Sequence, residues 1–440
     1  MRVAFHTLGC KVNQYETEAM KESFKRRGHS VVDENDYADA YVINTCTVTN
    51  LADRKSRQYI RRAKRVNPTG LVAVTGCYAQ IKPEEVSAIE GVDIVVGTNE
   101  KHNLIDYVED FIYDRNNSKE VVGATSCHVL SYDEMHEYQS DGVVTSMESR
   151  TRAYIKIQEG CNRFCSYCII PFARGPVRSR QLKEILKEAE ILVSKGFKEI
   201  ILTGINTALY GEDLGYDGIS KLIGEINNLP GDFRIRLSSL EPTVIDEEYV
   251  KKLFGYDKLC HHLHLSIQSG SDKILARMNR RYDRKKYLSI VETLRRFDPL
   301  YGISTDIICG FPGECEEDFM DSVDIVRETG FCKVHVFRYS KRTGTKAASM
   351  EDQVDGKTSQ ERSERLTKVV GTAEREFFKR NIGTQGRVLI EEKDGEFVRG
   401  YTGNYIRVYL PMEFEDKLGC FVNVMLTEIY KDGMKGESYE

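Results

Sequence analysis

The chain has 440 residues, of which 40% are hydrophobic and 30% are charged. This length predicts two or three domains, and this composition is ordinary for a soluble protein with hydrophobic cores. The net charge of −5 does not indicate a nucleic-acid partner, so binding to RNA would require local basic patches. Neither a signal-peptide core nor a long apolar run is found, so we expect no membrane span.

Residues 1–125 are predicted to form an α/β domain with a small parallel sheet. Apolar runs at 3–8, 40–44, 71–75 and 93–96 alternate with segments of helical periodicity. Alternation of this kind is typical of βαβ units, in which the strands are parallel and the helices cover the sheet.

Three cysteines of this domain follow three of its strands. Cys10, Cys46 and Cys77 each come directly after a strand candidate. Because the loops after parallel strands meet at one edge of the sheet, we expect these distant thiols to lie together. Three unrelated buried cysteines are the alternative, since an isolated cysteine often packs as a small core residue. We favour a metal cluster held by three thiolates, with one iron left open.

Residues 126–150 are polar and lack periodicity, which predicts a linker. In residues 151–357, six strand candidates alternate with five amphipathic segments. This pattern predicts a parallel sheet that curls into a partial (β/α)6 barrel. Polar or glycine-rich loops follow its strands and should carry the active site, because ligands bind at the carboxyl ends of such strands.

The most closely spaced cysteines are Cys161, Cys165 and Cys168, in the pattern CxxxCxxC. Three thiolates cannot supply all four irons of a cubane cluster, so one iron is left open to bind another molecule. A zinc site completed by a histidine is the alternative, but no histidine lies between His136 and His261. Clusters held by thiolates need a reducing compartment, and the cysteine spacing is not that of a secreted disulfide framework, so we expect a cytoplasmic protein.

Residues 358–382 are predicted to form a connecting helix, and residues 383–440 a small antiparallel β-barrel. Short alternating runs separated by glycines support this interpretation. Such barrels often bind oligonucleotides, and tyrosine rings can stack on bases. Because acidic residues outnumber basic ones in this segment, RNA would need a local face. One candidate face consists of Arg399, Tyr401, Tyr405 and Arg407.

Two clusters of basic residues are candidates for contact with the RNA backbone. A solvated helix face is the alternative for each of them. The first cluster lies on one predicted helix and consists of Arg54, Lys55, Arg57, Arg61, Arg62, Lys64 and Arg65. The second consists of Arg277, Arg280, Arg281, Arg284, Lys285 and Lys286.

Over nearly its whole length the chain resembles the radical S-adenosylmethionine (SAM) methylthiotransferases. The resemblance rests on the run of Gln158–Arg180 around the three cysteines, and on Thr7–Glu18 (TLGCKVNQYETE), Ile169–Gly175 (IIPFARG) and Ser238–Pro242 (SSLEP). These segments are most similar to the branch that modifies N6-threonylcarbamoyladenosine in transfer RNA. The resemblance implies an N-terminal methylthiotransferase domain, a central radical-SAM domain and a C-terminal TRAM domain.

The resemblance also implies two 4Fe-4S clusters and SAM as cofactors. Cys161, Cys165 and Cys168 would hold the radical-SAM cluster, and Cys10, Cys46 and Cys77 an auxiliary cluster. No conventional catalytic acid, base or nucleophile is assigned beyond these ligands. The other residues that the resemblance places at the SAM site are Tyr167, Thr203, Gly204, Asn206, Ser238, Glu241, Ser266, Gln268 and Arg338.

The implied reaction adds a methylthio group to carbon 2 of the threonylcarbamoyl-modified adenine beside the tRNA anticodon. One SAM would methylate a sulfur on the auxiliary cluster, and a second would give the radical that removes the unreactive hydrogen from carbon 2. The implied partners are the anticodon stem-loop of tRNA, SAM and an electron donor, with no DNA and no membrane. Methylthiolation of isopentenyladenosine or of a ribosomal-protein aspartate is the alternative.

Arg174, Arg178 and Arg180 are candidates for binding the carboxylate of the threonylcarbamoyl group, because arginine forms paired hydrogen bonds with carboxylates. Phosphate contacts or salt bridges are the alternative. Two other classes of protein stay open, an iron–sulfur carrier and a noncatalytic RNA-binding module. The remaining cysteines are expected to be packing residues, namely Cys127, Cys260, Cys309, Cys332 and Cys420. Cys315 is interpreted as a tolerated small residue.

Overall fold

A computed structural model describes residues 1–117, 125–140, 142–147, 151–215 and 218–439. The chain forms two compact units, each built from separated stretches. The first contains Met1–Glu148, Lys156–Glu188 and Ser340–Ala348, and the second contains Ser149–Ile155, Ala189–Tyr339 and Ser349–Glu440. None of the helices in the described ranges combines the length and the hydropathy that a membrane-spanning segment needs.

The first unit is built on a six-stranded parallel sheet. Its strands are β1 (Arg2–Thr7), β2 (Ser30–Val32), β3 (Ala40–Thr45), β4 (Leu71–Gly76), β5 (Ile94–Val96) and β6 (Ser126–His128). Their order is β2-β1-β3-β4-β5-β6. The four predicted strands are all present, and β2 and β6 extend the sheet. β6 falls within the predicted linker, of which residues 141 and 148–150 lie outside the described residues.

Five helices accompany this sheet, namely α1 (Lys11–Arg26), α2 (Asn50–Val66), α3 (Cys77–Ile81), α4 (Pro83–Ser87) and α5 (Leu104–Asn117). Phe24 of α1 and Val108 of α5 belong to one hydrophobic cluster of the sheet. Ile60 of α2 and Val86 of α4 belong to another. Because both faces of the sheet are covered, β3 and β4 are buried along their whole length, as parallel strands require.

Two further stretches complete the first unit. The end of β7 (Arg152–Glu159) pairs in antiparallel register with β8 (Arg178–Ser179). Between these strands lie the CxxxCxxC loop and the short helix α6 (Ile170–Arg174). This helix has a proline in its first turn, where proline is favoured. The third stretch, Ser340–Ala348, is tied to that loop, because the amide of Ala347 donates to the carbonyl of Ser166 at 2.7 Å.

The second unit contains the partial barrel that the sequence predicts. Its strands are β9 (Glu199–Gly204), β10 (Arg234–Leu237), β11 (Ser239–Leu240), β12 (His262–Leu265), β13 (Gly302–Cys309) and β14 (Lys333–Arg338). One sheet has the order β10-β9-β7-β8 and the other β11-β12-β13-β14. The helices that accompany them are α7 (Leu182–Ser194), α8 (Gly218–Asn227), α9 (Glu247–Phe254), α10 (Asp272–Arg277), α11 (Arg284–Phe297) and α12 (Glu316–Thr329).

A long helix, α13 (Gly356–Arg380), leads to a closed five-stranded barrel. The barrel strands are β15 (Gln385–Asp394), β16 (Phe397–Tyr401), β17 (Arg407–Pro411), β18 (Phe421–Tyr430) and β19 (Gly433–Ser438), in the order β15-β16-β17-β19-β18. Alternate residues such as Val398, Val408 and Val424 point inward and form its core. The predicted α/β fold class with a C-terminal β-barrel is therefore confirmed.

Buried ion pairs fasten this barrel to the rest of the second unit. Glu199 accepts hydrogen bonds from Arg234 and Arg236, at 2.5 and 3.0 Å. The same guanidinium groups donate to backbone carbonyls of the β16–β17 turn. The ring of Tyr405 in that turn stacks on His262 at 4.4 Å between centroids. The prediction that the ring of Tyr405 stacks on RNA bases is therefore wrong, because this ring packs against protein.

Candidate functional site

The three cysteines that follow β1, β3 and β4 converge in the first unit. Cys10 immediately precedes α1, Cys46 follows β3, and Cys77 begins α3. The three strands are direct neighbours, so their carboxyl ends lie side by side. A Cβ atom on Gly9 would lie 2.8 Å from Cβ of Cys46, so glycine is needed for the loop before Cys10 to pass this close.

The site formed by Cys10, Cys46 and Cys77 is named the thiol corner. Burial makes the thiolate form of its buried cysteines energetically costly. It raises the pKa of Cys46 to about 12, and the neighbouring thiol of Cys77 raises it further. Burial also raises the pKa of Cys77, against the opposing effect of Arg174. The thiols of Cys46 and Cys77 therefore become thiolates at neutral pH only with strong positive charge beside them, which bound metal ions supply.

The second set of cysteines lies in the loop between β7 and α6. Gly160, just before it, has φ +73°, and a Cβ atom there would lie 1.7 Å from the carbonyl oxygen of Pro176. The amide of Cys161 donates to the carbonyl of Gly175 at 3.1 Å, and that of Cys168 to Cys165 at 2.9 Å. These contacts fold the loop back on itself with its three sulfur atoms half-buried.

The spacing of the sulfur atoms bears on which metal centre fits. A single zinc ion with Zn–S bonds near 2.3 Å would hold its sulfur ligands about 3.8 Å apart. In the part of the chain that the structure describes, neither cysteine set forms a group of ligand atoms all within 4.8 Å of one another. The donor sets therefore fit an iron–sulfur cluster, in which each thiolate binds a separate iron, better than one zinc ion.

The partial barrel gathers most residues predicted for SAM at the carboxyl ends of its strands. Thr203 and Gly204 end β9, Ser238 follows β10, and Ser266 and Gln268 follow β12. The hydroxyl of Ser238 is buried and has no hydrogen-bond partner within the described ranges. An orphaned buried hydroxyl is costly in a folded protein, so it marks a place where a polar ligand fits.

Asn206 and Glu241, also predicted for SAM, lie at the same edge. The side-chain amide of Asn206 donates to the carboxylate of Glu241 at 3.1 Å. This carboxylate is buried, although it belongs to a loop. A buried acceptor at the strand ends is suited to a cationic or hydrogen-bonding part of a ligand.

One residue of the second unit predicted for SAM, Arg338, is not brought to this edge. Tyr167 belongs to the cysteine loop of the first unit, and its role at the SAM site stays a prediction. Arg338 ends β14, but its guanidinium is exposed and donates to Gln360 of α13 at 3.1 Å. Strand alternation explains this placement, because Arg338 and Phe337 must point to opposite faces of the sheet.

The three arginines predicted to bind the substrate carboxylate are fully buried. Arg178 donates to the backbone carbonyls of Met135 and Arg174, at 3.0 and 2.9 Å. Arg180 is ion-paired with Glu188. The Nε–H of Arg174 points to the sulfur of Cys77, with 3.4 Å between N and S. All three guanidinium groups are thus bonded to protein groups, which differs from the predicted contact with substrate.

Arg174 belongs to a buried ionic network. Its Nη1 atom donates to carboxylate oxygens of Glu16 and Glu159. Lys101 also contacts Glu16, and Lys156 contacts both carboxylates. Burial pushes the pKa of Glu16 up, but the three cations outweigh burial and hold this pKa well below its ordinary value. Three cations and two carboxylates therefore meet in contact with the thiol corner.

A second arginine supports the same corner and was missed by the sequence analysis. Arg342 donates to Asp53 at 2.8 Å and to Asn50 at 2.7 Å, and also contacts the hydroxyl of Thr47. Thr47 is the residue after Cys46, so the guanidinium anchors the loop that carries this thiol. No sequence signal could have found this contact, because Asp53 and Arg342 are 289 residues apart.

The two basic clusters predicted to bind RNA differ in whether their side chains form ion pairs with acidic residues of the protein. In the second cluster, Arg277 pairs with Asp352 and Arg284 with Glu328, so these cations hold protein elements together. On α2, by contrast, the exposed side chains of Arg54, Lys55, Arg61 and Arg65 form no ion pair among the described residues.

The strands of the partial barrel also carry a cluster of polar side chains that the sequence analysis missed. His264 of β12, Asp306 of β13 and His335 of β14 present ligand atoms within 4.8 Å of one another. Strand register brings them together, because Asp306 and His335 are direct partners across β13 and β14. Alternating polar residues in these strands were the available signal.

The six other cysteines fall into two groups. Cys260, Cys309 and Cys332 are buried packing residues, in agreement with the sequence-based expectation. Cys127 and Cys420 are exposed, so the expectation that they are packing residues is wrong for these two. Cys315 is exposed as well and caps α12 through Asp318.

Fold and site together define a radical-SAM enzyme. The sequence pattern of the family described as "Radical SAM superfamily" matches residues 155–326, and that of "Uncharacterized protein family UPF0004" matches residues 2–97. Among solved structures, the radical SAM methyltransferase TsrM from Kitasatospora setae is similar with a TM-score of 0.59. The similarity covers 79% of this chain and 77% of that chain at 16% sequence identity, and it concerns the fold.

Curated relatives narrow the class further. The threonylcarbamoyladenosine tRNA methylthiotransferase MtaB of Bacillus subtilis is 45% identical over 96% of this chain and 93% of that protein. The tRNA-2-methylthio-N(6)-dimethylallyladenosine synthase of Acetivibrio thermocellus is 34% identical over 98% of this chain and 89% of that protein. The chain belongs to the family of radical-SAM tRNA methylthiotransferases and is a transferase.

Proposed function

We propose that this protein adds a methylthio group to carbon 2 of N6-threonylcarbamoyladenosine beside the tRNA anticodon, using SAM and two 4Fe-4S clusters. The observation that carries the proposal is the convergence of Cys10, Cys46 and Cys77 in addition to the CxxxCxxC loop. A radical-SAM fold alone needs only the loop. The thiol corner supports a second cluster, and identity to the Bacillus relative supports the threonylcarbamoyl substrate.

Each cysteine set would hold one cluster, with the fourth iron free of a protein ligand. When bound, the two clusters and SAM supply a carbon-centred radical that removes the hydrogen from carbon 2 and a sulfur atom for methylthio transfer. An external electron donor is required for this chemistry. The chain's own contribution is to bind and orient SAM and to exclude water from the reacting atoms.

The carboxyl ends of the barrel strands are suited to orienting SAM. The buried hydroxyl of Ser238 can donate to or accept from a polar group of the ligand. Glu241, held by Asn206, offers an acceptor for the ligand's amino or ribose groups. Thr203 lies on β9, the neighbour of β10, and Gln268 follows β12, the neighbour of β11.

The exposed cations of α2 would contact tRNA phosphates. Arg54, Arg61 and Arg65 recur at helical spacing and line an open groove of about 800 Å³ together with Arg57 and Lys64. The last two pair with acidic residues, so the first three carry the surplus charge. Neutralising phosphates with such side chains is the main source of affinity for RNA, despite the acidic total.

The clusters are tested by iron and sulfide analysis after anaerobic reconstitution. We expect about eight irons per chain in the wild type, and about four in Cys46→Ala and in Cys165→Ala, because each cubane contains four irons. Cys260→Ala is the matched control, since this cysteine is a buried packing residue of the second unit and should leave the iron content unchanged. A wild-type content of four irons would contradict the auxiliary cluster.

The substrate is tested with tRNA from cells that lack the protein. We expect 2-methylthio-N6-threonylcarbamoyladenosine to be absent, and to return with the wild-type chain but not with Cys46→Ala. Methylthiolation of dimethylallyladenosine is the second candidate, because relatives of that specificity are also similar to this chain. Loss of that nucleoside, with the threonylcarbamoyl product retained, would assign the second activity.

A further inference from the structure

We propose that Arg174 is a positioning residue for the auxiliary cluster and raises its reduction potential by an N–H···S hydrogen bond to Cys77. This inference rests on the proposed function, since it takes Cys77 to be a cluster ligand. Hydrogen bonds to cluster sulfurs and nearby positive charge stabilise the more negative, reduced state of an iron–sulfur cluster.

Hydrogen bonds to the Nη atoms of Arg174 hold its guanidinium in place on the side that faces away from Cys77. Its Nη1 and Nη2 atoms donate to Glu16, Glu159 and Asn13, while Nε faces the sulfur at 3.4 Å. The side chain has no exposed surface. Because the guanidinium is planar, holding its Nη atoms determines where its Nε–H points. The carboxylates therefore aim a donor at Cys77.

The charges of the network leave a surplus that faces the sulfur. Arg174, Lys101 and Lys156 outnumber the carboxylates of Glu16 and Glu159 by one. Arg178 lies nearby and adds a further cation, whose hydrogen bonds here go to backbone carbonyls. A buried surplus cation is costly unless an anion faces it. The thiolate of Cys77 is the anion within reach of Arg174.

This charge count also predicts that the network tolerates the loss of Arg174. Without it, Lys101 and Lys156 balance Glu16 and Glu159. The variant Arg174→Gln should therefore fold while lacking the N–H···S bond and one positive charge beside Cys77. Arg180→Gln is the matched control, because Arg180 is as deeply buried as Arg174 but is ion-paired with Glu188.

The test uses the full-length chain with Cys161, Cys165 and Cys168 changed to Ala, so that only the auxiliary cluster can form. Iron and sulfide are counted, and the midpoint potential is measured by redox titration followed by electron paramagnetic resonance. We expect about four irons per chain, and a tenfold lower equilibrium constant for one-electron reduction in Arg174→Gln, equal to 59 mV. Arg180→Gln should match its parent.

The outcomes separate the inference from the proposed function. A parent chain without iron would overturn the proposed function. A parent chain with four irons, and equal potentials in the parent and Arg174→Gln, would overturn the role of Arg174 alone. Should Arg174→Gln not fold, the parent labelled with ¹⁵N-arginine decides, because the hydrogen bond predicts a ¹⁵N coupling in the spectrum of the reduced cluster. Absence of that coupling would refute the inference.

Discussion

Glu391 of β15 should make the stability of the second unit depend on pH. Its carboxylate contacts Arg152 at 2.6 Å, while its other oxygen has no hydrogen-bond partner within the described ranges. Burial raises its pKa from 4.5 to about 7, and Glu199 adds to this against the opposing charges of Arg152, Arg234 and Arg236. Between these pH values the folded chain keeps a proton that the unfolded chain has released.

The sign and the size of the effect follow from linkage. A carboxyl with a raised pKa stabilises the fold fully below pH 4.5, and this contribution is lost as the pH rises through 7. At 1.36 kcal/mol per pKa unit, the rise corresponds to about 3.4 kcal/mol as an upper value. Glu391→Gln cannot ionise, so it should equal the wild type near pH 4.5 and exceed its stability at pH 8 by about 2–3 kcal/mol.

Differential scanning calorimetry of the full chain between pH 5 and 8 measures this difference. For a unit of this size, 1 kcal/mol shifts Tm by about 2–4 °C, so the variant should melt roughly 4–12 °C higher at pH 8. Glu392→Gln is the control, because this exposed neighbour pairs with Arg399 at the surface. A constant difference between Glu391→Gln and the wild type at every pH would refute the reasoning.

Further predictions concern the loops and the RNA surface. Gly160→Ala should remove about four irons per chain by displacing the CxxxCxxC loop, whereas Gly196→Ala, at positive φ but in open space, should remove none; equal iron contents would contradict this. Arg342→Leu should cost about 3–5 kcal/mol in denaturant unfolding, because it leaves a buried carboxylate unpaired, and an unchanged midpoint would argue against the anchor. Reversing the charges of Arg61 and Arg65 should weaken tRNA binding and lower the slope of log affinity against log salt by about two, with unchanged iron content; an unchanged slope would exclude them as phosphate contacts.

Regular elements of this fold could be predicted wherever hydrophobic periodicity was long enough to be distinctive. The helix α11, for example, spans Arg284–Phe297, the range that its amphipathic pattern predicts. The strands β2 (SVV) and β6 (SCH) were missed because they are three residues long and contain fewer apolar residues than β5 (IVV), which is equally short but was predicted. β19 was missed because its sequence is rich in glycine and charge, and barrel closure rather than intrinsic preference makes it a strand.

The site was predictable to the extent that strand order determines it. Cys10, Cys46 and Cys77 could be brought together on paper, because the carboxyl ends of parallel strands share an edge. The ionic partners could not, since Lys101 and Arg174 reach Glu16 from 85 and 158 residues away without any local pattern. For Arg338 the strand alternation was visible in the sequence, and applying it would have placed the side chain on the outer face.

The anchoring of the Cys46 loop by Arg342 has a consequence for the order of events during synthesis. A ribosome adds about 5–20 residues per second, so the arginine emerges roughly 15–60 s after the cysteine that it secures. During that interval the loop of Cys46 lacks the hydrogen bonds from Arg342 that anchor it. If a cluster were inserted before the finished polypeptide is released, the loop of Cys46 would not yet be anchored by Arg342. A chain truncated after β14 would lack this anchor permanently.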